Sequence, residues 1–306
     1  MRSKLVGALV ALVALSAASA ASAAAPAQAK KSNSASACGT LKKGALGKPV
    51  SGFDVKGASI ESVKPSAPES SSQCTLVGKL AGERAAAPVR FRLELPKDWN
   101  RRAVQFAAGI DAPHDVVDPQ AALAAGFAPY GPLDAGVAAT AQRRLRDVAA
   151  ELLARRYGRL TDQFYLVSGP GGGMAAVALA IGDPRAFRGV LADAREPSGG
   201  TAGAEKAAEG PDASKTANFG SYANKILIAA PPVASSAAAE PALIRWFSDY
   251  ATQTGQRSAD HFLRVLRLPA DAAQTQAGAK VDRLTPLAVW AEVGTAPPDA
   301  TSLMQR

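Results

Sequence analysis

The residues best placed to do chemistry form one stretch, Gln163-Phe164-Tyr165-Leu166-Val167-Ser168-Gly169-Pro170-Gly171-Gly172-Gly173-Met174, followed by the Ala-rich run Ala175 to Ile181. A β-branched and aromatic run that stops at Ser168, then glycines, then good helix formers spells a strand, a sharp corner and a helix. Such a corner is a nucleophile elbow: it lifts one side chain clear of a sheet, beside backbone N–H groups that stabilise an oxyanion. The central residue here is Pro170. Its ring holds φ near about −65° and offers neither a hydroxyl nor an N–H, whereas an elbow nucleophile sits in a strained turn at positive φ. The corner has the shape for nucleophilic catalysis without the atom that performs it.

Three further chemistries can be asked of the same neighbourhood. Serine hydrolysis needs a hydroxyl, a histidine base within reach and an orienting acid. Ser168 and His114 could supply the first two. Ser168 lies two positions before the central residue, where the simpler reading is a strand-end hydroxyl bonded to backbone, and His114 lies in the loop Gly109 to Pro119, where the simpler reading is a loop histidine. The other of the two histidines, His261, precedes an apolar strand and so belongs to the opposite end of a sheet, at the surface. Gly169, Gly171, Gly172 and Gly173 could instead form an anion-binding nest of N–H groups at a helix start. That run lacks the Gly-Lys-Ser/Thr ending of a phosphate loop, and Met174 stands where a dinucleotide fingerprint has Gly or Ala, so no nucleotide cofactor is expected. Two distant histidines and no spare thiols give none of the usual zinc spacings, and Asp111, Asp115 and Asp118 read as a solvated loop.

The elements that would position these groups follow from periodicity. Val89-Arg90-Phe91-Arg92-Leu93-Glu94-Leu95, closed by Pro96, alternates as a half-buried strand, with Thr75 to Leu80 as its antiparallel partner. Ala103 to Ala108, Gly126 to Tyr130, the run before Ser168, Phe187 to Ala192, Lys225 to Ala230 and Phe262 to Leu268 read as further strands. Between them, Ala141 to Tyr157 carries Leu145, Val148, Ala149, Leu152 and Leu153 at helical spacing and ends at Gly158; Pro241 to Thr252 and Leu284 to Val293 are helices too. This alternation predicts an α/β fold, a doubly wound, mostly parallel sheet with helices on both faces. In such a sheet ligands sit beyond the carboxyl ends of the strands, which gathers His114, Pro170, Asp193, Ala230 to Ala234 and Ala270 to Gln274 on one rim.

The 306 residues, 47% hydrophobic, suffice for one large domain. Arg2 and Lys4, then apolar Leu5 to Leu15, then small residues to Ala25 follow the order of a secretory signal, so residues 1–25 are expected to be removed. Residues 26–37 read as a disordered leader and 38–306 as a single exported domain, secreted or periplasmic. Nothing approaches the roughly 20 apolar residues that a membrane span needs. The formal charge of +9 is spread along the chain, and with 6% aromatic residues there is no basic stripe for nucleic acid. Residues 194–224 turn to Gly, Ala, Ser, Glu and Lys, which reads as a flexible insertion. Two cysteines, Cys38 and Cys74, in an exported chain predict a structural disulfide.

Taken in order, these pieces resemble the tannase and feruloyl esterase family of secreted α/β-hydrolases over most of the chain beyond the signal. Cys38 with Leu41, and Gln73-Cys74-Thr75-Leu76-Val77-Gly78, resemble its amino-terminal cysteine pair. Leu95-Pro96 with Trp99-Asn100, then Gly126-Phe127-Ala128 and Asp134-Ala135-Gly136, then Tyr157-Gly158 and Tyr165, follow its pattern, and Trp290, Glu292, Gly294, Ala296 and Pro297 resemble its closing motif. The resemblance implies an α/β-hydrolase-like fold, carboxylic ester hydrolysis as the family activity, and a small aromatic ester or phenolic acid as partner. The departures fall on the chemistry: the family's serine, acid and histidine positions match Pro170, Ala234 and Ala273, and its large lid has shrunk to 194–224. The leading expectation is a non-catalytic homologue with at most a binding role. Two alternatives stay open, an active ester hydrolase using Ser168 and His114, and an anion or phenolic-acid binder built on the Gly169 to Gly173 nest.

Overall fold

The computed structural model describes residues 38–66, 73–82, 86–112, 114, 116–195, 224–230, 242–267, 283–297 and 300–301, all within one compact unit spanning residues 33–306. The expected signal and leader (1–37), most of the expected insertion (196–223), and Ala234 and Ala273 lie outside the described residues. The chain runs through β1 (Gly44–Ala45), β2 (Ala58–Pro65), β3 (Cys74–Leu80), β4 (Val89–Leu95), β5 (Arg102–Phe106), α1 (Pro119–Ala124), β6 (Ala128–Pro132), α2 (Ala139–Tyr157) and β7 (Gln163–Val167). It continues through α3 (Gly173–Gly182), β8 (Gly189–Asp193), β9 (Lys225–Ala230), α4 (Ala242–Thr254), α5 (Gln256–Phe262), β10 (Leu263–Arg267), α6 (Leu284–Val293) and β11 (Ala300–Thr301).

One sheet holds all the strands in the order β1-β2-β3-β4-β6-β5-β7-β8-β9-β10-β11. β6, β5, β7, β8, β9 and β10 run parallel, and the antiparallel pairings are confined to the β1–β4 side and to β11. From β5 the chain steps outward to β6 and then crosses back to β7, so the direction of winding reverses between β5 and β7. With right-handed crossovers that reversal puts α1 and α2 on opposite faces and opens a crevice at the carboxyl ends of β5 and β7.

Side chains alternate across the sheet as the pleat requires. Tyr165 and Val167 pack with Val104, Phe106, Phe127, Leu287 and Trp290 under α1 and α6, while Leu166 packs with Val177, Val190, Ile226 and Phe247 under α3 and α4. The antiparallel strands and α2 close a third cluster around Leu76, Phe91, Leu93, Tyr130, Leu145 and Leu152, and Phe164 joins it to the second. Cys38 and Cys74 are disulfide-bonded, Cα to Cα 5.8 Å, which fastens the segment before β1 to the first residue of β3. A buried Glu151 on α2 fastens the next turn, accepting from the backbone N–H groups of Val50 and Ser51 and from Arg155.

The main departures from the expected elements have local causes. β2 escapes pattern reading because a bulge between Ile60 and Ser62 breaks the alternation. β6 begins at Ala128 rather than Gly126, whose φ of +83° is incompatible with a strand. α1 is only six residues long, too short to show a helical period, although Asp118 caps it and Pro119 opens it.

Candidate active site

The central strand β7 delivers Ser168 and the glycines to the crevice, but the corner is not an elbow. Gly172 N–H donates to Gly169 O at 3.1 Å, and Gly171 has φ +76°. Proline at the second position, a positive-φ glycine at the third and a bond from the fourth residue back to the first define a type II β-turn, Gly169-Pro170-Gly171-Gly172. The positive φ has moved one residue past Pro170, onto a residue with no side chain. The Pro-Gly pair is itself the sequence signal for this turn. Sequence reading by elbow position alone misses it.

The glycines that follow serve packing. A Cβ on Gly173 would stand 2.2 Å from Asp193 O and 2.8 Å from Leu243 Cδ2, so only glycine lets the first residue of α3 lie against the end of β8. Two of the four N–H groups that a nest would use are already donated, Gly171 to Arg195 O at 2.7 Å and Gly172 to Gly169 O.

Ser168 is buried, and its Oγ accepts from the backbone N–H of Asp193 at 2.8 Å. Asp193, also buried, holds Arg195 through Oδ1 at 2.9 Å from Nε and through Oδ2 at 2.5 Å from Nη2. His114 is buried against the Phe106 ring, centroids 4.6 Å apart, with Nε2 2.7 Å from Gly109 O. A carbonyl can only accept, so Nε2 carries the proton in this bond. The structure thus brings Ser168, Asp193 and the His114 loop to the same end of the sheet, where Ser168 Oγ accepts from the Asp193 N–H while His114 Nε2 is turned to Gly109 O. His261 ends α5 at the opposite, amino end, exposed.

One buried group at the carboxyl end was not anticipated. Gln105 Nε2 donates to Gln142 O at 3.1 Å and to Gln142 Oε1, and Gln142 Nε2 donates to Ala107 O at 2.8 Å. This amide pair fixes the exit of β5, whose Ala107 N–H reaches Val167 O at 2.9 Å. A lone glutamine inside the apolar run Ala103 to Ala108 was the available signal.

The opposite rim is richer in functional groups. Arg102 meets Glu292 in a two-pronged pair, Nε to Oε1 2.7 Å and Nη2 to Oε2 2.5 Å, and the Tyr165 hydroxyl donates to the same carboxylate. The Arg102 hydrogen bond, opposed by burial and aided by Tyr165, holds Glu292 below the ordinary glutamate range; burial and the Glu292 carboxylate push the Tyr165 phenol well above its own. Arg101 adopts φ +65°, the one non-glycine residue at positive φ among the described residues, beside Asp162, whose N–H bonds to Arg101 O at 2.9 Å. A cleft of about 280 Å³ opens here, lined by Asn100, Arg102, Asp162, Gln163 and Glu292. Its charged walls are already paired, Arg102 with Glu292 and Asp162 with Arg101, and it lies at the amino ends of β5 and β7, away from the crevice where the winding reverses. Among the described residues, no three His, Cys, Asp or Glu side chains are grouped to hold a metal, and no helix is long and apolar enough to cross a membrane.

No protein-family model matches the chain, and no curated protein matches it in sequence. Solved structures do. Feruloyl esterase B from Aspergillus oryzae superposes with a TM-score of 0.53 at 12% identity, covering 80% of this chain and 89% of that one. An esterase from Aspergillus oryzae gives 0.38 at 15% identity over 47% of this chain, which spans only 36% of that protein's length. S-formylglutathione hydrolase from Agrobacterium tumefaciens gives 0.41 at 16% identity, covering 68% of this chain and 90% of that one. With the first of these, the doubly wound sheet is an α/β-hydrolase-like fold.

Proposed function

From the premise of an α/β-hydrolase-like fold, we propose that this protein is an exported, non-catalytic relative of carboxylic ester hydrolases whose role, if it keeps a ligand, is to bind a small aromatic ester or phenolic acid. The observation that carries the reading is the type II turn at Gly169 to Gly172: the place of the nucleophile is a proline, and the positive φ belongs to a bare glycine. Ser168, the nearest hydroxyl, accepts from the Asp193 N–H in the strand layer. By the resemblance, the acid and histidine positions fall on Ala234 and Ala273, which supply neither acid nor base. The ligand class is supported by the resemblance of the scaffold residues to tannases and feruloyl esterases, and export by residues 1–25 and the Cys38–Cys74 bridge.

The test is hydrolysis by the purified protein of a panel of aryl esters and of methyl ferulate and methyl gallate, alongside ferulate and gallate binding by calorimetry. Rates should equal buffer, resist serine-directed phosphonates, and stay there in Pro170→Ser, since one hydroxyl without base or acid restores little. Turnover that disappears in Ser168→Ala or His114→Ala would instead establish an active hydrolase with a non-standard site. Absence of both turnover and binding would remove the ligand-binding role.

A further inference from the structure

The amino ends of β8, β9 and β10 gather positive charge. Arg188 stands just before β8, and its carbonyl accepts the N–H of Lys225, the first residue of β9, at 3.1 Å. Lys225 pairs with Gly189, and Arg264, the second residue of β10, pairs with Leu227. Neighbouring strands lie about 4.8 Å apart, so three cationic side chains start within two strand spacings of one another. Directly paired residues share a face, which sends Arg264 with Leu227 toward α6. The Lys225 ammonium lies on that same face, 5.5 Å from the Trp290 ring centroid, and donates to His261 O at 2.6 Å.

Among the described residues, none of these three cations is held in an ion pair. Burial, with Arg188 and Arg264 as charged neighbours, holds the Lys225 ammonium below the ordinary lysine range. Among the described residues, a carboxylate within electrostatic reach of Arg188 is that of Glu292, already bonded by Arg102 and Tyr165. The Nε–H groups of Arg188 and Arg264 are shielded from water and find no acceptor among the described residues. Like charges collected at close range, with donors left unsatisfied, cost stability unless an anion completes them.

We propose that the amino ends of β8, β9 and β10 form a binding site for a tetrahedral oxyanion dianion, phosphate or sulfate, held by Arg188, Lys225 and Arg264 beside Trp290. Guanidinium forks match the paired oxygens of such an anion, and three cations favour a dianion over a single carboxylate. The site lies at the opposite end of the sheet from Ser168 and Pro170, so it stands or falls independently of the proposed function.

Thermal unfolding of the purified protein in phosphate, sulfate, acetate and chloride at equal ionic strength tests it. Phosphate or sulfate should raise Tm saturably by about 3 °C or more, with acetate matching chloride. The larger of the two responses identifies the preferred anion. In Arg264→Met and Lys225→Met the dianion-dependent rise should disappear, while Tm in chloride should hold or increase because a repulsive charge is gone. A fall of Tm in chloride with the dianion increment intact would make these cations structural and overturn the proposal. Equal shifts in all four salts would reduce it to screening and overturn it as well. Should either variant fail to fold, titration of tryptophan fluorescence with inorganic phosphate provides the second reading. The wild type should saturate, and Arg188→Lys, which keeps the charge but loses the fork, should bind at least several-fold more weakly; an unchanged or non-saturating curve refutes the site.

Discussion

At the amino ends of β5 and β7, Arg102, Tyr165 and Glu292 form a buried-edge network, with the Trp99 indole N–H on Arg102 O at 2.9 Å and its ring stacked on Tyr157 at 4.6 Å. At the carboxyl ends of the same two strands the chain offers Ala107, Ala108, Ser168 and glycines. One rim is made of long polar and aromatic side chains satisfied by one another; the other, where α/β sheets hold their ligands, has small residues at the strand exits of β5 and β7, with His114, the Gln105–Gln142 pair and the Asp193–Arg195 pair beside them. Many of the residues that resemble the tannase and feruloyl esterase family belong to the first rim: Trp99, Asn100, Tyr157, Tyr165 and Glu292. In this structure they seat the strands against α6 and α2 against the β5 corner. The groups that seat the strands and the end of the sheet where α/β folds hold ligands thus lie at opposite ends of β5 and β7.

The sharpest challenge to this contrast is Gly173→Val at the carboxyl end. Because a Cβ there collides with Asp193 O, α3 must move off β8, and the variant should lose about 3 kcal/mol by urea unfolding. An unchanged midpoint would mean that the corner is loosely seated and that its glycines are not packing residues.

Next is Glu292→Ala at the amino end, which strips the acceptor from both Arg102 and Tyr165. Arg102 and Glu292 are part-exposed, so screening tempers the loss to about 2 kcal/mol. Since the folded-state carboxyl titrates below its unfolded value of about 4.3, its contribution is complete above that pH and is lost as pH falls through the lower folded value. The gap between wild type and variant should therefore be constant from neutral pH to about pH 5 and shrink in more acid solution. A gap that widens on acidification would contradict the pairing.

The smallest expected effect is that of Ser168→Ala. It removes one buried hydrogen bond to the Asp193 N–H, about 1 kcal/mol, and changes no rate of ester hydrolysis. Loss of a measurable rate would give the carboxyl rim a chemistry that its side chains do not otherwise suggest.

How legible this was depended on whether the cause lay in neighbouring residues. β9 and α6 occupy the residues expected for them, because Lys225 to Ala230 and Leu284 to Val293 are abrupt apolar segments with clear breakers at their ends. Pro170 could be placed between the central strand and a helix for the same reason. The Arg102–Glu292 pair joins residues 190 apart and has no local period to reveal it. The turn type was half legible: Pro-Gly was visible, but reading the stretch as an elbow concealed that the positive φ falls on Gly171. The bond from the Asp193 N–H to Ser168 depends on how far β8 runs past β7, which is a matter of register and not of composition.

The two outermost strands, β1 and β11, are only two residues long. A sheet of eleven strands would ordinarily offer a second copy two long rows of free backbone groups. Here β1 covers β2 only at Ser59 and Ile60, and the stretch beyond carries the bulge, then Lys64 and Pro65, each of which discourages a further strand from joining. β11 covers β10 at Val265 and Leu266, the middle of its apolar run. The same few residues that finish the sheet thereby guard it against edge-to-edge association, a protection that matters more the wider the sheet becomes.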